Sequence, residues 1–82
     1  MMGRSSMDED ALLALGTVFA ALGGMLERHG ICTTYELAET LGGVAHMTLE
    51  AGEEYRGRAA YIGSWAHIVR TAALGAGKSN QH

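Results

Sequence analysis

From Ala11 to Leu26 the chain carries one polar side chain in sixteen residues, Thr17, with Asp8, Glu9 and Asp10 before the run and Glu27, Arg28 and His29 after it. A helix that is apolar on nearly every side needs cover on nearly every side. A chain of 82 residues folded as one small bundle covers about half of such a helix, because a small domain has little interior for its surface. The remainder calls for a partner surface, most simply a second copy of the chain. The alternative is a central helix wrapped by the other two.

The run falls short of the roughly 20 residues that span a bilayer. It also follows acidic rather than basic residues, and Gly16, Gly23 and Gly24 interrupt it. Neither a membrane span nor a signal sequence is therefore expected. Cys32 is the only cysteine, which excludes an internal disulfide and suits a reducing, cytoplasmic compartment. Six Lys and Arg against nine Asp and Glu leave a net charge of −3, so no global attraction to nucleic acid is implied.

Proline is absent, and β-branched and aromatic residues are sparse beside Ala, Leu, Met and Glu, a balance that favours helix. The pattern predicts a single all-α domain over 1–82, a small helical bundle that self-associates. Its three main helices cover about 7–29, 34–51 and 53–74, and its ends, about 1–5 and 75–82, are loosely ordered. Ser6 and Glu9 have the spacing of a capping box at the first helix, and Thr33 and Glu36 repeat it at the second. Gly30 is the expected stop between them.

The first helix has a main stripe of Leu12, Leu15, Phe19, Leu22 and Leu26, with Ala11, Val18 and Met25 repeating every seven residues beside it. Gly16, Ala20 and Gly23 or Gly24 form a small-residue track suited to close approach of another helix. Leu12, Leu15, Val18, Phe19, Leu22 and Met25 are the candidate oligomer interface. Leu37, Leu41, Val44 and Ala45 make the buried stripe of the second helix. Gly42 and Gly43 leave open whether 34–51 is one helix or two. The third helix carries Tyr55, Ala59, Ile62, Ala66, Val69 and Ala73 on one stripe, with Tyr61, Trp65, Ile68 and Ala72 beside it.

No catalytic signature appears. Ser64 and Cys32 lack an evident base and orienting acid, no phosphate loop occurs, and no cofactor is expected. His29 and Cys32, with His46 and His67 elsewhere, fall short of a tetrahedral zinc set. His29 reads instead as a helix C-terminal residue and Cys32 as a small apolar one. The chain is not expected to be an enzyme or to hold a metal. The best recognition surface is Glu50, Glu53, Glu54, Tyr55, Arg56 and Arg58, because Tyr and Arg supply contact area and directional bonds at interfaces.

Two resemblances bear on function. Thr34 to Gly42 resembles the first half of a helix-turn-helix, with a recognition helix over about Ala45 to Glu54. That helix offers His46, Thr48, Glu50, Glu53 and Glu54 and no Lys or Arg, the wrong sign for phosphates. Residues Tyr35 to Val69, with Glu36-Leu37-Ala38-Glu39-Thr40-Leu41-Gly42-Gly43 and then Ala59-Ala60-Tyr61-Ile62-Gly63-Ser64-Trp65, look like the C-terminal helical segment of the ArdC-type antirestriction proteins of plasmids and phages. The zinc motif of that family, His-Glu-x-x-His, has no counterpart; only Glu27-Arg28-His29 stands upstream. The resemblance implies an origin in a mobile element and work against host defence. The resulting expectation is a homodimeric inhibitor, of antirestriction or anti-CRISPR type, that binds a host nuclease complex. The alternatives are a helix-turn-helix regulator and a structural oligomerisation module.

Overall fold

The structure is a computed structural model that describes the backbone of residues 2–79 and the side chains of 9–75. It is all-α: α1 spans Met2–Arg28, α2 Thr34–Glu50 and α3 Arg56–Ser79, with a 3-10 turn at Glu53–Tyr55, and no strand occurs among the described residues. The expected cap at Ser6 does not start the first helix, which is already helical from Met2. α1 and α3 extend to Met2 and Ser79, beyond the bounds expected for these helices; Met1 and residues 80–82 lie outside the described residues.

The two interhelical connections follow from local chemistry. At the end of α1, Gly30 takes φ 72°, its N–H donates to the Glu27 carbonyl at 3.0 Å, and the Ile31 N–H donates to that of Leu26 at 2.9 Å. This paired pattern ends a helix and requires the left-handed conformation that glycine adopts freely. The expected box at α2 forms: the Glu36 N–H donates to Thr33 Oγ1 at 3.0 Å and the Thr33 N–H to Glu36 Oε1 at 2.8 Å. At the far end Gly52, at φ 153°, breaks the chain direction, and the Tyr55 N–H closes the 3-10 turn on its carbonyl at 3.0 Å. The third helix proper therefore starts at Arg56, not 53.

The segment 34–50 is one uninterrupted helix despite Gly42 and Gly43. Each glycine weakens a helix by up to about 1 kcal/mol relative to Ala, and packing of the whole face outweighs that. α2 and α3 run antiparallel as a hairpin, with Tyr35 beneath the Arg70 guanidinium at 5.6 Å and Ala45 opposite Gly63. α1 lies parallel to α3, with Leu12 level with Trp65 and Gly16 with Ile68. It meets α2 where Gly23 faces Thr34 and Leu37.

The interior is made of small residues. Ala38, Ala59, Ala66 and Val69 are the buried apolar side chains, and Val69 is the largest that is fully enclosed. Gly16 and Gly23 are also buried. A Cβ at Gly16 would run into Ile68 Cδ1, and one at Gly23 would stand 3.0 Å from Thr34 Cγ2 and 3.2 Å from Leu37 Cδ2. The small-residue track thus forms the inward side of α1. The molecule is flattened, 44 × 31 × 18 Å, with a radius of gyration of 14.1 Å against about 12 Å for a compact chain of this length.

Two polar contacts tie α1 to the hairpin. Trp65 Nε1 donates to the Leu12 carbonyl at 3.0 Å, while the Phe19 ring meets the Trp65 ring edge-on at 5.4 Å between centroids. The Glu27 carboxylate accepts from the Thr34 N–H at 2.8 Å and from its hydroxyl at 2.9 Å, which also places a negative charge at the positive end of α2. The Thr34 N–H, and then its hydroxyl, hold the Glu27 carboxyl below its ordinary value of 4.5.

Substitution into the close contacts will separate packing from propensity. Gly16→Val is expected to destabilise by about 1–3 kcal/mol through overpacking against Ile68, whereas Gly43→Ala, with open space at its Cβ, is expected to stabilise by about 0.5–1 kcal/mol; denaturant unfolding followed by circular dichroism reads both. Because its pKa is depressed on folding, the stability that Glu27 contributes is complete above the ordinary carboxylate value and is lost as pH falls through the lowered one. Tm measured from neutral pH into the acid range should therefore fall more steeply for the parent than for Glu27→Gln.

Candidate functional site

Two of the exposed apolar surfaces bear on function. The first is the outward side of α1. Leu15, Val18, Leu22 and Met25 are exposed there, Val18 by 58%, and Ala11, Ala14 and Ala21 lie among them, also exposed. Thr17 turns its hydroxyl onto the Leu13 carbonyl at 2.8 Å, so the one polar side chain of the run spends its donor on its own helix. The six residues of the expected oligomer interface divide: Leu15, Val18, Leu22 and Met25 are exposed, whereas Leu12 and Phe19 are half-buried, Phe19 with its ring against Trp65 and Leu12 in the groove that Trp65 also lines. Steps of three and four around a helix do not say which side meets the rest of the chain, and the glycines decide it.

The helix is also longer than the apolar run. Glu9–Arg28, 20 residues of mean hydropathy 1.5, is long and apolar enough to cross a membrane by length and composition, with only 11% of it buried. The length argument against a span therefore fails for α1, and what argues for a packed helix is its glycine contact with Ile68 and the Trp65 bond.

The second surface is the turn end of the hairpin. Val44, Met47, Thr48, Ala51, Tyr55 and Arg58 line an open groove of about 400 Å³. Met47 is 69% exposed and Val44 44%, so Val44, expected in the buried stripe, is on the groove instead; α3 takes up Ala38 and Ala45, and Val44 lies round the helix from them. The Arg58 guanidinium lies over the Tyr55 ring at 5.0 Å and has no carboxylate partner among the described residues. Arg58 also borders a second groove of about 400 Å³ between α1 and α3, lined by Ala11, Leu12, Leu15, Tyr61, Ile62 and Trp65.

The other expected partner-binding residues gather at the same end. Glu53 and Glu54 sit on the 3-10 turn, Arg56 pairs with Glu53 at 2.7 Å, and Glu50 meets His46 at 3.1 Å. Both pairs are exposed and add little to stability. Glu50, Glu53 and Glu54 thus share the turn end with the groove without lining it, and His46 and Arg56 border a separate groove with Ala45 and Leu49. Met47 is the groove residue that neither residue type nor motif marks. It falls off the Leu37, Leu41 stripe, and its outward position was the available signal.

The continuous α2 removes the turn on which the helix-turn-helix resemblance depended: no separate recognition helix begins at Ala45, and α2 ends at Glu50. Among the described residues no three His, Cys, Asp or Glu side chains converge as a metal site would require. No family model matches the chain, and no curated protein or solved structure matches it either.

The split of the α1 stripe has a direct check. Phe19→Asp places a charge against Trp65 and should unfold the protein, whereas Leu22→Asp, already exposed, should leave the single chain folded and remove only the stability that self-association adds. Far-ultraviolet circular dichroism and thermal melts distinguish the two.

Proposed function

We propose that the protein is a small cytoplasmic anti-defence protein of a phage or plasmid, not an enzyme, which self-associates through α1 and docks the turn end of its hairpin on a host nuclease complex. The observation that carries the docking surface is the groove in which exposed Met47 and Val44 meet Tyr55 and an uncompensated Arg58, at the end of the hairpin that also carries Glu50, Glu53 and Glu54. An apolar anchor site bordered by an aromatic and an arginine suits a protein partner, and acidic residues at the same end suit a basic, nucleic-acid-binding one. The antirestriction or anti-CRISPR setting rests on the resemblance of Tyr35 to Val69 to ArdC-type proteins. The outward α1 row favours one further reading, a structural oligomerisation module with no inhibitory activity of its own.

Expression in hosts that carry a restriction or CRISPR system, followed by phage plating, tests the reading. Plating should rise on expression, and Met47→Asp should weaken binding to the nuclease complex by about tenfold or more, as loss of one interface anchor does, while leaving the melting curve in place. Inhibition should also weaken as salt is raised if these glutamates contribute. Unchanged plating in every such host would leave the oligomerisation module as the reading.

A further inference from the structure

The outward row of α1 carries information about orientation as well as association. Ala11, Leu15, Val18, Leu22 and Met25 follow one another in steps of four, three, four and three, the spacing of a seam between two helices. All five are exposed, on the side away from Gly16 and Gly23, so a second helix can reach them without displacing α3. Asp10 and Arg28 are eighteen residues apart (28 − 10), five whole turns at about 3.6 residues per turn. They therefore lie along one flank of the row. Both are exposed, and neither makes an ion pair among the described residues.

This placement distinguishes the two ways of pairing α1 with itself. A parallel pair sets Asp10 level with Asp10 and Arg28 level with Arg28, with the helix dipoles aligned. An antiparallel pair opposes the dipoles and brings each Asp10 to an Arg28. Resting on the self-association proposed above, we infer that α1 pairs antiparallel with α1 of a second copy, Val18 against Leu22 and Leu15 against Met25 of that copy. In this register Asp10 of one chain lies within two residues of the level of Arg28 of the other, about 3 Å along the axis, which both side chains span.

The pairing has a consequence for the groove between α1 and α3. Leu15 is part of its wall and Trp65 of its lining. Met25 of the second copy, seated on Leu15, narrows the groove from its open side. The second copy therefore completes a site that one chain leaves open.

The test uses the full chain with Cys32→Ser, so that introduced cysteines are the only thiols. Light scattering over a concentration series first establishes the oligomeric state. Leu15→Cys and Met25→Cys proteins are then treated with a short bismaleimide, separately and as a refolded mixture. The inference expects a dimer, cross-linking in the mixture and little in either protein alone. It also expects Arg28→Asp to weaken the dimer by about five- to tenfold in Kd, as two exposed pairs do, and the added Asp10→Arg exchange in the same chain to restore it. A dimer in which each single-cysteine protein cross-links to itself overturns the antiparallel arrangement and leaves self-association standing. A monomer at every concentration overturns both, as does association of α1 with phosphatidylcholine vesicles in place of a protein dimer.

Discussion

Close approach of helix backbones is the constraint on which the remaining features of this fold depend. Gly16 under Ile68, Gly23 under Thr34 and Leu37, and the buried Ala38, Ala59 and Ala66 at the hairpin bring the helix backbones close together. The interior is then narrow, and Val69 is the largest side chain it fully encloses. Burial of alanine methyl groups releases much less free energy than burial of leucines. Leu13, Leu15, Leu22, Leu49 and Leu74 stay exposed with Met25 and Met47, the other described leucines are half-buried, and the flat shape of the molecule goes with this thin interior.

A thin apolar interior specifies register weakly, and polar contacts supply what it lacks. The indole of Trp65 finds its acceptor at the Leu12 carbonyl and sets the height of α1 against α3. Glu27, bonded twice to Thr34, sets the angle at which α2 leaves α1 and satisfies a donor at its first turn. Thr33 and Glu36 close the same turn from the other side. Two of these three anchors therefore sit at one short connector, where a small displacement would otherwise be carried the length of α2.

Much of this architecture was legible in the residues themselves, and the parts that were not share a cause. Helix count, the stop at Gly30 and the box at Thr33 depend on neighbours in sequence, which a linear pattern records. The small-residue track of α1 was legible as a place for close approach, but not which helix would use it. Phe19 and Leu12 could not be told from Leu15 and Leu22 by spacing, since all belong to one wide apolar arc. The continuity of α2 through Gly42 and Gly43 and the exposure of Val44 were set by contact with α3, a tertiary term that local preference does not contain. At the hairpin end, Tyr55 and Arg58 were recognisable from residue type, whereas Met47 joined them only once the turn at Gly52 had folded α3 back along α2.

The bond between Trp65 and Leu12 has one more implication. The chain contains a single indole, and that indole stands at the junction of α1 with α3, not within the hairpin. Its emission therefore registers the docking of one particular helix and is largely blind to the formation of the other pair. Unfolding followed by fluorescence and by helical ellipticity interrogates different parts of the same molecule, and any interval between the two curves measures how far the hairpin persists after α1 has left it.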